Sequence, residues 1–364
     1  MKNLSARKQT RSLKLPTGGV DFTSNDYLGL SRSEELHQLI GNAWSSQAVK
    51  RNGSTGSRLL SGNSELIEDT EKKLAAIFNS ETTLLFDSGY SANLAVLSTL
   101  PQRGDTIIMD ELAHASLKDG ARLSLASKWN FRHNDMSDLE RKLAMAEGEK
   151  WIVLESIYSM DGDTCPLRDA CTLAEKSAAH IILDEAHSTG VMGAKGNGLA
   201  NRDGLQHKID VRVYTFGKAM GIHGACVSSG AATKDLLVNF SRPFIYTTAP
   251  TDHSVISVSS AFDFLGDNII LQDQLKANID LFTSLAGDVN GWNRSSTQIQ
   301  AVLVPGFEEV TRAASQLRSA GFDVRPILSP TVKEGQERLR ICIHTFNTKE
   351  EIRSLIGEMK ALGI

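Results

Sequence analysis

Between about residues 82 and 230 the chain alternates short apolar runs with amphipathic stretches. The runs are Thr82 to Phe86, Thr106 to Met109, Ile152 to Leu154, Ile181 to Leu183, Val211 to Phe216 and Ala225 to Ser228. Runs of this length, separated by helical patterns, predict an α/β fold built on a mostly parallel central sheet covered on both faces. Ligands of such sheets gather at the carboxyl ends of the strands. Ser88, His114, Glu155, Asp184 and Lys218 each fall at, or a few residues after, the end of one of these runs.

Beyond about residue 266 the pattern changes. A helical stretch near Ile269 to Leu285, a strand Ile299 to Val304, a helix near Glu308 to Ala320 and an alternating strand Arg338 to His344 predict a smaller C-terminal α+β domain. Its last helix opens on Thr348-Lys349-Glu350-Glu351, the spacing of a capping box. The chain therefore divides into an arm over 1–34, a large domain over 35–265 and a small domain over 266–364. The stretch from Met1 to Leu15 is basic and Ser-containing without the apolar centre of a signal peptide, and no later run reaches transmembrane length. Two expectations stand for this arm: a solvated terminus, or a cover that lays Arg7, Lys8 or Arg11 over the active site.

Charge adds a negative result. With 39 Lys+Arg against 43 Asp+Glu, the formal charge of -4 gives no bulk attraction for nucleic acid or membranes, and neither is expected as a partner. The four cysteines, Cys165, Cys171, Cys226 and Cys342, form no CxxC pair. They are expected to be buried free thiols in a reducing cytoplasm, with no metal site.

The chemistry centres on Thr215-Phe216-Gly217-Lys218-Ala219-Met220-Gly221, which lies about thirty residues after Ile181-Ile182-Leu183-Asp184-Glu185-Ala186-His187. A lysine at one strand end can form a Schiff base with an aldehyde, and a carboxylate at another can keep a pyridine nitrogen protonated. Neither segment decides the matter alone. A lysine after a strand is usually a surface residue, and Asp-Glu-Ala-His also reads as a metal-binding or Walker-B-like strand end. Together they suggest pyridoxal 5'-phosphate. Asp87-Ser88-Gly89-Tyr90-Ser91-Ala92-Asn93 follows a strand and opens a helix, where backbone N–H groups and the helix dipole favour a phosphate and Gly89 permits close approach. Thr215 offers a second phosphate ligand. His114 suits a ring laid over a flat heterocycle, or a satisfied structural histidine. His187, three residues past Asp184, can reach the same ring edge. Glu155 either joins this chemistry or caps a neighbouring loop.

Assembled, these residues resemble the α-oxoamine synthases, pyridoxal-phosphate enzymes of fold type I. The similarity runs almost end to end: Ser24-Asn25-Asp26-Tyr27-Leu28-Gly29-Leu30, Gly53-Ser54-Thr55-Gly56-Ser57-Arg58, Ser88 to Asn93, His114-Ala115-Ser116, Ser159-Met160-Asp161-Gly162-Asp163, Asp184 to Gly190, Thr215 to Gly221 and Tyr246-Thr247-Thr248. The resemblance implies Lys218 as the Schiff-base lysine and general base, Asp184 at the pyridine nitrogen, His114 stacked on the ring and His187 donating near the ring oxygen. It implies Ser88, Gly89, Tyr90 and Thr215 around the phosphate, and Glu155 and Ser159 near the cofactor. Asn25, Ser159 and Arg340 match positions for the amino-acid carboxylate, and Thr331 a substrate position. Thr247 and Thr248 would reach the phosphate of a neighbouring subunit, which implies a homodimer with shared sites.

The implied reaction joins an L-amino acid to an acyl-CoA with loss of carbon dioxide. L-Alanine and a pimeloyl thioester, the pair used in biotin synthesis, fit best; glycine with a short acyl-CoA and serine with a long one are the alternatives. One departure bears on the acyl tail. Many pimeloyl-using members carry Arg three residues before the threonine of a Pro-Thr-Val stretch, whereas Ile327-Leu328-Ser329-Pro330-Thr331-Val332 has Leu328 there. Arg325, or an arm residue such as Arg11, is expected to meet the tail carboxylate instead. A non-catalytic family subunit would be expected to lose Lys218, which is retained; a plain aminotransferase would turn over keto acids without acyl-CoA.

Overall fold

The computed structural model describes residues 18–364 together with Leu13 and Leu15. The arm cations Arg7, Lys8 and Arg11 lie outside the described residues.

Seven strands form the central sheet: β1 (Thr82–Phe86), β2 (Thr106–Asp110), β3 (Ser127–Phe131), β4 (Lys150–Glu155), β5 (Ala179–Asp184), β6 (Val211–Thr215) and β7 (Ala225–Ser229). Their spatial order is β1-β7-β6-β5-β4-β2-β3. Six of them coincide with the apolar runs. β3 has no such run because it is an edge strand whose Ser127, Lys128 and Asn130 face solvent. The pairs from β3 to β6 are all parallel, and β7 runs antiparallel to both its neighbours.

The reversal of β7 follows from the length of the connection before it. Parallel neighbours need a crossover of about a dozen residues or more, and residues 216–224 are too few, so the chain turns straight back. Phe216 N donates to Gly224 O at 2.9 Å and Ile222 N to Phe216 O at 3.1 Å, closing a tight turn. Lys218 sits in that turn.

The continuity of the apolar runs has its cause in packing. Ile107 and Met109 join Val153, Ile182, Val211 and Val213 in one buried cluster, while Ile108 joins Ile152, Leu154, Ile181 and Leu183 in another. Successive residues thus supply opposite faces, and both faces are covered. Each such side chain contributes about 1.5–3 kcal/mol through burial.

The later residues build a three-stranded antiparallel sheet from β8 (Ile299–Leu303), β9 (Arg325–Ile327) and β10 (Arg338–Cys342), in the order β9-β10-β8. The last helix, Lys349–Ala361, has the expected capping box, with Glu351 N donating to Thr348 Oγ1 at 3.2 Å and Thr348 N to Glu351 Oε2 at 2.8 Å. The N-terminal segment is fastened to this part of the molecule. Val20–Asp21 pairs in parallel with Phe322–Asp323, Cys342 N donates to Phe22 O at 2.8 Å, and Thr345 N to Tyr27 O at 2.9 Å. Phe22 and Tyr27 are fully buried there.

All four cysteines are buried and free, as the spacing predicts. Among the described residues no single helix is long and apolar enough to cross a membrane. One bent pair, Asp252–Asp267 with Ile270–Asp288, passes on length and composition, and both helices supply buried residues to the core.

Candidate active site

The carboxyl ends of β1, β2, β4, β5 and β6 converge on one cleft, lined by Ser88, Gly89, Tyr90, His114, Glu155, Asp184, His187, Thr215 and Lys218 together with Asn93 and Ser116. Nine positions singled out in the sequence are therefore neighbours in space.

Asp184 ends β5 almost fully buried, and two donors hold its carboxylate. Asn93 Nδ2 donates to Oδ2 at 2.7 Å and Ala186 N to Oδ1 at 2.8 Å. Asn93 also donates to Ser116 Oγ at 2.9 Å, which ties the helix Gly89–Thr99 to the helix Ala115–Leu123. Asn93 was missed as a functional position. The available signal was a polar residue among Ala92, Ala95, Val96 and Leu97, which form the buried face of the helix.

Glu155 ends β4 directly beside Asp184 in register. It is buried and accepts from the backbone N–H of His114. Burial, reinforced by the neighbouring Asp184 charge, pushes its carboxyl up to about 8. His114 presents an exposed ring to the cleft, and its Nδ1 lies 2.8 Å from Ser116 Oγ.

At the far end of the cleft, Ser88 caps the helix Gly89–Thr99 by accepting from Ser91 N at 3.2 Å. The first two helical amides, Gly89 and Tyr90, have no intrahelical acceptor and form the positive end of the helix dipole. Gly89 is required here by proximity: a Cβ at this position would stand 2.2 Å from Thr215 Cγ2. The helix start and the end of β6 thus form a backbone-lined recess suited to a phosphate. Tyr90 itself turns outward, its hydroxyl bonded to Asp119.

Lys218 keeps some surface, but its amine is enclosed. That burial pulls it down to about 8 from its ordinary 10.5, even with Asp184 and Glu155 opposing. Nζ lies 2.7 Å from His187 Nε2. His187 is buried, and the loss of solvent together with the Lys218 and Arg340 charges holds it well below its ordinary value. Its Nδ1 lies 2.8 Å from Tyr27 Oη.

Arg340, on β10, reaches the loop that follows β4 and the N-terminal segment. Nε donates to Ser159 O at 2.6 Å, Nη2 to Asn25 Oδ1 at 3.0 Å and Nη1 to Cys342 Sγ at 3.0 Å. Among the described residues no carboxylate pairs with this buried guanidinium. Asn25 and Arg340 are therefore adjacent, and Ser159 meets them through its backbone carbonyl.

The remaining expected positions fall at the margins. Thr247 Oγ1 donates to Asp87 Oδ2 at 3.4 Å, and the exposed Thr248 lines an adjoining cavity that shares Asp87, His223 and Gly224 with the cleft. Thr331 is exposed in a turn closed by its N–H to Leu328 O at 2.9 Å and does not line the cleft. Arg325 is engaged, with Nε 2.9 Å from Asp323 Oδ1 and Nη2 3.1 Å from Asp323 Oδ2.

Known proteins place this geometry. Residues 17–358 match the family Aminotransferase class I and II. The 8-amino-7-oxononanoate synthase of Emericella nidulans is 38% identical over 365 residues, spanning 94% of this chain and 89% of that protein. The solved 8-amino-7-oxononanoate synthase of Francisella tularensis superimposes with a TM-score of 0.81 at 28% identity, over 94% of this chain and 97% of that one. A solved serine palmitoyltransferase carrying pyridoxal phosphate superimposes with a TM-score of 0.89 at 26% identity, over 100% of this chain and 95% of that one. The fit of the cleft to that cofactor is local as well: a helix-start recess for a phosphate, a buried carboxylate at a strand end, an exposed ring and an enclosed amine of lowered pKa. The chain belongs to the class I and II aminotransferase family and, within it, to the α-oxoamine synthases, pyridoxal-phosphate-dependent enzymes that transfer an acyl group from a thioester to an amino acid.

Proposed function

We propose that this enzyme condenses L-alanine with a pimeloyl thioester, releasing carbon dioxide and forming 8-amino-7-oxononanoate, as a cytoplasmic homodimer. The observation that carries the reading is Arg340: a buried cation without a carboxylate partner among the described residues, linked by hydrogen bonds to the residues around Lys218. A buried unpaired charge is costly, and a ligand carboxylate removes that cost through two parallel hydrogen bonds. An amino-acid substrate meets this need. The 38% identity to a synthase that makes 8-amino-7-oxononanoate favours alanine and a pimeloyl chain over the serine palmitoyltransferase alternative.

When bound, pyridoxal phosphate supplies an aldehyde carbon for an amine and a protonated ring that withdraws electrons from the substrate Cα. Ser88, Gly89, Tyr90 and Thr215 would hold its phosphate, with Thr247 and Thr248 of a second subunit completing that site. Asp184 would keep the pyridine nitrogen protonated, His114 would cover one ring face, and His187 would meet the ring oxygen. Lys218 would bond the aldehyde in the resting enzyme and, once displaced by the substrate amine, take the Cα proton as general base. Its lowered pKa leaves a large neutral fraction near pH 8, which both tasks require. Arg340, Asn25 and Ser159 would fix the carboxylate so that Cα faces Lys218. Glu155, neutral below about 8, would add no second negative charge beside Asp184.

The test is product identification by mass spectrometry after incubation with L-alanine, glycine or L-serine and pimeloyl-, acetyl- or palmitoyl-CoA. The expected product is 8-amino-7-oxononanoate from L-alanine and pimeloyl-CoA. Preference for glycine with acetyl-CoA, or serine with palmitoyl-CoA, would move the enzyme to another branch of the same family.

A further inference from the structure

His133 follows β3, and both of its ring nitrogens face carboxylates. Nδ1 lies 3.0 Å from Asp110 Oδ1 and 3.1 Å from Asp110 Oδ2, and Nε2 lies 2.8 Å from Asp163 Oδ2. Asp110 ends β2 and is fully buried. An ionised carboxylate only accepts, so each ring nitrogen must donate, and an imidazole with two N–H groups is an imidazolium. Burial works against that charge, but the hydrogen bonds and charges of Asp110 and Asp163 outweigh it and push His133 up to about 10. Glu111 lies alongside, its Oε1 taking the His133 backbone N–H at 3.4 Å and its Oε2 standing 2.9 Å from Lys333 Nζ. The Tyr158 ring meets His133 edge to face, 4.5 Å away between centroids.

Asp163 closes the turn 158–163 in the loop that follows β4. Tyr158 N donates to Asp163 O at 2.9 Å and Gly162 N to Tyr158 O at 2.8 Å. Asn134 adds a second donor to Asp163 Oδ2, its Nδ2 at 2.7 Å, while its backbone N–H reaches Asp110 Oδ2 at 2.9 Å. From the other side the C-terminal part of the chain grips the same turn. Arg338 pairs with Asp161, Thr297 Oγ1 donates to Gly162 O at 2.7 Å, and Arg340 Nε donates to Ser159 O at 2.6 Å.

We propose that His133 is a positioning residue for the amino-acid pocket: shared as a charged ring by Asp110 and Asp163, it fixes the turn 158–163 and so holds Ser159 O on Arg340 Nε. The functional weight of this rests on the reading of Arg340 given above. A guanidinium is a rigid planar fork, so an acceptor fixed on Nε sets the plane of all its N–H groups. If His133 loses its charge, Asp110 still keeps the N–H groups of Leu112 and Asn134, at 2.8 and 2.9 Å, whereas Asp163, the more exposed carboxylate, keeps Asn134 Nδ2 alone. The turn is therefore the part that loosens. His133, Asp110 and Asp163 do not line the cleft around Lys218, so the role is tested in the holoenzyme.

His133→Gln can hydrogen-bond but carries no charge. Its KM for the amino acid should rise about tenfold while kcat at saturating amino acid and the KM for the acyl thioester stay within about twofold, the pattern of lost binding rather than lost chemistry. Asp163→Asn, which leaves His133 on Asp110, should give the same split, and the double variant should add little to either single one, since both remove one interaction. In the wild-type holoenzyme the ¹⁵N signals of His133 should show two protonated nitrogens at about pH 8, and the KM for the amino acid should show no step near pH 6.5, where an ordinary histidine titrates. A bare ring nitrogen at that pH, an unchanged KM for the amino acid in both single variants, or a loss confined to kcat overturns the proposal; if His133→Gln does not fold, Asp163→Asn decides alone. Arg340→Lys is measured alongside. If it leaves the KM for the amino acid unchanged, the carboxylate reading of Arg340 falls and the proposal with it; if it raises that KM while the His133 and Asp163 variants do not, the role of His133 alone falls.

Discussion

Glu155 and Asp184 stand side by side in register at the ends of adjacent parallel strands, two buried carboxylates of which only Asp184 has a side-chain amide donating to it. Two adjacent charges in a poorly solvated place are unfavourable, so the proton goes to Glu155. Below about 8 Glu155 therefore brings no charge of its own to the paired strand ends.

A pH dependence of stability follows. The Glu155 carboxyl is raised from 4.5 to about 8, so between these values the folded protein binds the extra proton and the Glu155 contribution to stability falls as pH rises. Glu155→Gln removes this slope while its side-chain oxygen can still accept from His114 N. Urea midpoints should improve relative to wild type more at pH 8 than at pH 5. An equal difference at both pH values would show that Glu155 is ionised throughout.

Lys218 titrates from about 8, so its reaction with pyridoxal phosphate should level off near pH 8, where an ordinary lysine would keep accelerating towards 10.5. Borohydride reduction followed by peptide mapping reads this directly. Label on another lysine would remove Lys218 from its role.

Asp184→Asn should retain cofactor and lose roughly a thousandfold in turnover, about 4 kcal/mol, because a neutral amide does not hold the pyridine nitrogen protonated. Asn93→Ala should cost less, on the order of tenfold, since it removes one of the two donors that orient the carboxylate. Turnover of both variants at saturating substrate is the measurement, and near-normal Asp184→Asn activity contradicts the assignment.

Arg340→Lys should raise the KM for L-alanine by at least about tenfold, roughly 1.4 kcal/mol, because an ammonium cannot reproduce the paired guanidinium contacts. The KM for pimeloyl-CoA should change little. An effect confined to the acyl substrate would assign Arg340 to the tail instead.

Mixing inactive Lys218→Ala chains with inactive Thr247→Ala/Thr248→Ala chains should restore about a quarter of wild-type activity, since half the dimers would be mixed and one of their two sites intact. Sedimentation of an active monomer at assay concentration would end the shared-site picture.

The sheet was legible because both its faces are covered: Ile107 to Met109 and Ile181 to Leu183 are apolar without interruption, and the strand ends then locate the chemistry. β3 escaped because an exposed edge needs no apolar run, and β9 because Arg325–Ile327 is three residues long and begins with a charge. Lys218, Asp184 and His187 stand out by their spacing after strands. The amide of Asn93 on Asp184 and the hydroxyl of Tyr27 on His187 depend on contacts across distant segments, which no local pattern encodes. The ion pair of Arg325 with Asp323 likewise appears only in three dimensions.

The strand Val20–Asp21 and the bond from Thr23 Oγ1 to Asp323 O, 300 residues away, give the order in which this enzyme can mature. Asn25 and Tyr27 are made long before the groups that hold them, Arg340, Cys342 and Thr345. The central sheet lies wholly between, so it can assemble during synthesis while the early segment waits for its partners. The junction around Arg340 can therefore close only after the central sheet has been made, and a chain arrested before residue 340 would carry Lys218, Asp184 and the start of the helix Gly89–Thr99 without the guanidinium that meets Asn25 and Tyr27.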